Sequence, residues 1–192
     1  MQDPGARGSP PVTSRLLSRL VLCAALAGAS AACGPSGPEQ AAIPGWTTVV
    51  DEPSGASIEL PDGARPQSDT APDAEGSTVT LRNYTTTAAG GAVEVGFNVL
   101  DTHGGHYDFD EGVQQVASSL DGTVVSTEET NVEGHDAVDA EVSYGRGNVV
   151  LFQLVDADDH VLQPLVAGPA ERRELVEETF EQLTGSLDVA GA

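Results

Sequence analysis

From Trp46 onward, apolar and polar residues alternate with a period of two, in short runs broken by Gly, Pro, Asn and Asp. Such a pattern puts successive side chains on opposite faces of a sheet, and breaks this short force neighbouring strands to run antiparallel. Two runs, 46–50 and 56–60, flank Asp51-Glu52-Pro53-Ser54-Gly55 and form a hairpin that Pro61-Asp62-Gly63 closes. Residues 77–85 and 92–100 follow, joined across Gly90-Gly91, and Val93, Val95, Phe97 and Val99 share one face of the second. Four more runs, 123–130, 135–144, 148–156 and 160–167, are separated by Glu133-Gly134, Gly145-Arg146-Gly147 and Ala157-Asp158-Asp159. The stretch 67–76 is polar and lacks the alternation, which predicts a mobile loop.

Two segments change period. Phe109, Val113, Val116, Ala117 and Leu120 form one stripe of a helix, with Asp108 and Glu111 at capping-box spacing and Gly122 able to end it. A last helix over 169–183 has Pro169 in its first turn, Glu171 and Glu174 near its positive end, and Val176, Phe180 and Leu183 on one face. Strands, a helix, strands and a helix make an α+β chain whose two main helices each cover a face of an antiparallel sheet. The four phenylalanines fall on four different elements, Phe97 and Phe152 on strands and Phe109 and Phe180 on helices. They are expected to meet across the sheet–helix layers, each contributing roughly 1.5–3 kcal/mol by burial.

Everything before Trp46 reads differently. Leu20 to Ala32 is an uncharged run of 13 residues behind Arg15 and Arg19. A bilayer span needs about 20 apolar residues, so this is the pattern of a secretory signal peptide rather than of a membrane helix. Arg15 and Arg19 are not adjacent, which points to the general secretion route, and Val12 is an alternative start to Met1. At the end of the run stands Ser30-Ala31-Ala32-Cys33, followed by Gly34-Pro35-Ser36-Gly37-Pro38. This resembles a bacterial lipobox, and the resemblance implies that Cys33 is diacylated, becomes the mature N-terminus and holds the protein on the outer face of the membrane. Ser30 departs from the Leu usual three positions before such a cysteine. Cleavage after Ala31 or Ala29 is the alternative, and it releases a soluble protein. Cys23 leaves with the leader in either case, so no intrachain disulfide forms. The chain thus divides into a signal peptide (1–32), a lipidated Cys33 with a Gly/Pro-rich tether (33–45), a single globular domain (46–187) and a flexible C-terminus (188–192). A tether of that length spans on the order of 20 Å.

Charge narrows the partners. The chain carries 30 acidic residues against 8 basic ones, all Arg, for a net charge of −22. Arg7, Arg15 and Arg19 against Asp3 give the first 33 residues +2, leaving −24 on the remainder. Nucleic acid is excluded as a partner, since binding it needs clustered cations to displace counterions. Asp101, His103, His106, Asp108 and Asp110 lie close together, and His103, His106 and Asp108 are weak candidates for a metal site. Their spacing fits no metal motif and Asp108 already has a capping role, so a solvated loop is the preferred reading. Asp156, Asp158 and Asp159 read as a polar hairpin tip. The sequence holds no GxSxG elbow, no Lys, and no GxGxxG, HExxH or CxxC motif, so neither catalysis nor a cofactor is expected.

The order of small signatures is informative as a whole. A Trp after a lipidated tether, a strand ending in Ile58-Glu59-Leu60-Pro61, the Phe109 to Leu120 helix, Glu133-Gly134-His135-Asp136-Ala137, a long hairpin and a C-terminal helix are similar to those of the LpqN-type lipoproteins of actinobacteria, related in fold to PsbP-like proteins. The likeness covers Trp46 to about Leu187 and brings no catalytic motif. It implies a three-layer α/β/α sandwich with an antiparallel sheet. It also implies a non-catalytic binding or adaptor role at the cell envelope, anchored through Cys33, toward an envelope protein, peptide or lipid. A composition rich in Ala, Gly, Val and Arg without Lys suits a high-GC actinobacterium. The alternative is a secreted enzyme or metal-binding protein that uses the His/Asp cluster. Ligand identity and oligomeric state stay open.

Overall fold

Alternation is realised as two antiparallel sheets in the computed structural model, which describes residues 45–72, 78–102, 104 and 107–189. Strands β1 (Trp46–Val50) and β2 (Ser57–Pro61) form a hairpin of their own. The main sheet is built from β3 (Arg65–Pro72), β4 (Thr78–Ala88), β5 (Val93–Asp101), β6 (Thr123–Val132), β7 (His135–Tyr144), β8 (Asn148–Ala157) and β9 (His160–Pro169), in the order β3-β4-β5-β9-β8-β7-β6. Helix α1 (Phe109–Ser119) connects β5 to β6, and α2 (Arg173–Thr184) follows β9. The meander β6 to β9 thus returns the chain to the middle of the sheet, where β9 zips to β5 from Glu94↔Ala167 to Asp101↔His160.

Successive residues of the strands feed two separate cores. Val93, Val95, Phe97 and Val99 of β5 join Val149 and Val155 of β8, Ile58 and Leu60 of β2, and Val176 and Leu183 of α2. The intervening residues of β8, Val150, Phe152 and Leu154, join Val138, Ala140 and Val142 of β7 and Val113 and Ala117 of α1. Because side chains alternate along a strand, these two cores occupy opposite faces of one sheet. The phenylalanines divide accordingly. Phe97 and Phe180 belong to one core and Phe152 and Phe109 to the other, so they are split between two cores rather than gathered in one cluster.

Three expectations are corrected. Residues 65–72 are a strand, not part of a mobile loop: β3 pairs with β4 from Arg65↔Thr85 to Pro72↔Thr78, an edge strand held by backbone bonds that needs no apolar side chains. The rest of the predicted loop, 73–76, and Ser77, read as the start of the next strand, lie outside the described residues. Pro169 ends β9 instead of opening the last helix; a 3₁₀ turn over Ala170–Arg172 intervenes. Asp188 and Val189 are not a flexible tail. Asp188 bridges to Ser57, and Val189, 2% exposed, donates its N–H to the Glu133 carboxylate at 2.8 Å.

Gly122 ends α1 as expected. Asp121 takes the left-handed conformation after the helix (φ 51°), and the Gly122 N–H closes the helix on the Ala117 carbonyl at 2.8 Å. Gly122 is required for a different reason: a Cβ there would stand 2.7 Å from both the Ser143 carbonyl and Val142 Cγ1. Gly122→Ala is therefore expected to push α1 off β7 and to cost about 1–3 kcal/mol in urea unfolding.

Candidate functional site

Helix α1 decides where an opening is left. The Asp108 carboxylate accepts the Glu111 N–H at 3.0 Å, and Asp110 and Glu111 place negative charge on the helix's positive end. Val113 and Ala117 then lay the helix over β6 and β7. The neighbouring row of the helix, Gly112, Val116 and Ser119, overlooks β4, β5 and β9 on the face opposite to the one that α2 covers. A crevice of about 70 Å³ lies between them.

Its walls are Leu81 of β4, Leu100 of β5, Leu154 of β8, Val161 of β9 and Val116 of α1. Tyr107 also lines it, edge-on to Phe109 with ring centroids 5.9 Å apart. Burial, and after it the carboxylates of Glu111 and Asp108, push the Tyr107 hydroxyl up to about 12, so it stays a neutral donor at any physiological pH. Gly112 makes room for this ring, since a Cβ at that position would stand 2.7 Å from Tyr107 Cε1. The floor is polar at one place. Asn98 and Gln163 face each other across β5 and β9, and Asn98 Nδ2 donates to Gln163 Oε1 at 2.9 Å. Asn98 is only 3% exposed, yet among the described residues its Oδ1 and the Gln163 Nε2 have no protein partner. Among the described residues, no carboxylate, imidazole or thiol lines the crevice.

The other face holds an ion network. Asp51, fully buried in the β1–β2 turn, accepts from Arg82 Nε at 2.7 Å, Tyr84 Oη at 2.8 Å and the Ser54 hydroxyl at 2.7 Å. Burial alone would raise its pKa, but the bonds from Arg82, Ser54 and Tyr84 outweigh that and hold the carboxyl below its ordinary value. Arg82 also reaches Asp101 at 2.8 Å, and His160 Nε2 stands 3.4 Å from the same carboxylate oxygen. This network clamps the first hairpin to the main sheet. Of the five residues of the sequence cluster, Asp101 is thereby claimed by the sheet and Asp108 by the helix cap. His103 and His106 lie outside the described residues. An open acidic bowl is lined by His135, Asp136, Asp156, Asp158 and Asp159, but no group of three or more such residues is placed to hold a metal ion among the described residues.

Sequence reasoning missed both the amide pair and the Asp51 clamp. Each had a signal: Asn98 and Gln163 are amides in the two central strands, and Arg82 is a lone cation inside an apolar-patterned strand. Cys33 also lies outside the described residues. No described helix is long and apolar enough to cross a membrane.

No family model matches the chain, and no curated protein matches it. Eleven chains among solved structures do. The chain is similar to cyanobacterial PsbP (CyanoP) from Synechocystis sp. PCC 6803, at 12% identity and a TM-score of 0.53 over 83% of this chain and 98% of that one. PA94 from Pseudomonas aeruginosa overlaps 71% of this chain and 92% of its own at 18% identity, with a TM-score of 0.41. The fold is therefore PsbP-like, an α+β arrangement dominated by antiparallel sheet. At such identities the likeness speaks for fold and for nothing further.

Proposed function

We propose that this chain is an extracytoplasmic lipoprotein of the LpqN type, tethered through a diacylated Cys33, whose three-layer α/β/α domain is a non-catalytic binding or adaptor module at the cell envelope. The observation that carries the binding reading is the α1 crevice: apolar walls, an amide pair on the floor, the hydroxyls of Tyr107 and Ser119 and, among the described residues, no carboxylate, imidazole or thiol beside them. A catalytic site needs titratable or nucleophilic groups converging on a reacting atom. The PsbP-like fold is compatible with such a module, and the Ser30 to Cys33 motif behind an apolar leader supports the anchor.

Two measurements test the proposal. Expressed in a bacterium with a lipoprotein pathway and fed an alkyne fatty acid, the chain is expected to label and to sediment with membranes. Cys33→Ser is expected to abolish the label and to release most of the protein. An unmodified Cys33 in the mass spectrum of the mature N-terminus would remove the anchor, leaving a secreted domain.

A further inference from the structure

The floor of the α1 crevice offers both a donor and an acceptor, from two amides on neighbouring strands. Asn98 Nδ2 is already bonded to Gln163 Oε1, which leaves the Asn98 carbonyl oxygen as acceptor and, as donors, the Gln163 amino group and the second Nδ2 hydrogen of Asn98. An acceptor beside a donor is the complement of a peptide group, whose N–H and C=O are otherwise costly to bury. The room available is that of one side chain. A single water needs about 10–15 Å³, so a crevice of about 70 Å³ admits a Leu- or Phe-sized group rather than a long acyl chain.

Charge at the mouth selects the flanks of such a peptide. Glu111 stands one turn before Gln115 on α1, Asp108 precedes the helix, and the exposed Asp69 pairs in register with Leu81 on the opposite rim. Among the described residues no cation lines the crevice; Arg65, the Arg on that strand, is across from Thr85, away from Leu81. Cationic residues beside the anchor would meet complementary potential, which steers encounter and fixes orientation.

We infer that the α1 crevice is a docking site for a basic segment of a partner protein, one apolar side chain seated between Leu81, Leu100, Val116 and Val161 and its peptide group bonded to the Asn98–Gln163 pair. This rests on the binding-module reading and deepens it.

The test uses the full chain and a library of fluorescent twelve-residue peptides, each with one Leu, Ile or Phe among Lys and Arg, and a matched set with Glu in place of the cations. Members of the basic set are expected to bind at least tenfold more tightly than their acidic counterparts, and less tightly as salt rises. Ser119→Trp, which fills the mouth from the exposed flank of α1, is expected to weaken binding tenfold or more with an unchanged melting curve. If Ser119→Trp does not fold, Gln115→Arg takes its place, adding a cation at the mouth. Asn98→Leu is expected to weaken binding while leaving the preference for basic flanks intact. Equal binding of the acidic set, wild-type affinity in a folded plugged variant, or no binding by any peptide would overturn the inference. So would palmitate or phosphatidylglycerol vesicles displacing bound peptide, which would mark an acyl ligand. Envelope pull-downs separate the two levels: a partner retained by both wild type and Ser119→Trp sinks the crevice alone, whereas none retained by either sinks the binding module too.

Discussion

Arg82→Ala is expected to lower the unfolding free energy by about 3–5 kcal/mol, a third or more of the roughly 5–15 that a domain of this kind has. The size follows from what is left behind. Asp51 is fully buried, and without the guanidinium, whose side chain is itself only 11% exposed, its charge keeps just the Ser54 and Tyr84 hydrogen bonds. Asp101 loses the same cation. Asp51→Asn should cost less, because Arg82 keeps Asp101 and the amide still accepts from Tyr84. In a double-mutant cycle the two substitutions should fall short of additivity, as the second removes a partner already orphaned. Thermal melts should show a drop of roughly 8–15 °C for Arg82→Ala. Hydrogen exchange should locate the damage in β2, whose Ile58 and Leu60 are held in the core through this clamp. A melt within 2–3 °C of wild type, an estimate of about 1 kcal/mol at this chain size, would contradict the clamp.

The same network sets an acid limit. The Asp51 pKa is lower folded than unfolded, where it is near 3.8, so its contribution is fully present above about pH 4 and is lost as pH falls through the folded value. Wild type should therefore lose more stability below pH 4 than Asp51→Asn, and the two curves should run parallel above it. Parallel curves throughout would place the Asp51 carboxylate outside the energetics.

How far the sequence carried depended on whether an element is defined by its own residues or by its neighbours. β7 and the strands after it announce themselves, since Val138, Ala140 and Val142 alternate between turns whose Gly134 and Gly147 carry positive φ. Helix α1 was legible from its stripe and from Asp108. β3 was not, because Arg65–Pro72 has no apolar face and becomes a strand only by pairing with β4. Prolines 66 and 72 suit an edge, where missing N–H groups discourage further pairing. The crevice was illegible for a related reason. Its walls come from residues 81, 100, 116, 154 and 161, which meet only because β9 returns beside β5 and α1 leans toward β7. Local pattern shows that Asn98 and Phe97 point to opposite faces, but long-range topology decides that Gln163 stands opposite Asn98.

That a single sheet separates two cores has its own measurable consequence. Phe97 and Phe152 are both fully buried, one against β2 and α2, the other against α1. Phe97→Ala and Phe152→Ala are each expected to cost about 3–5 kcal/mol, close to unfolding the domain. The combined alanine variant would have no folded state to measure, so coupling is read from Phe97→Leu and Phe152→Leu, each about 1 kcal/mol. With no shared side-chain neighbours across the sheet, the double Leu variant should lose the sum of the single losses to within about 0.5 kcal/mol. The two should differ in what they loosen. Phe152→Leu should raise exchange in α1 and weaken peptide capture, whereas Phe97→Leu should raise it in α2 and the first hairpin and leave capture alone. Non-additivity well beyond that margin would mean that the two faces share one core, and a crevice on the α1 side could not be altered independently of the Asp51 clamp.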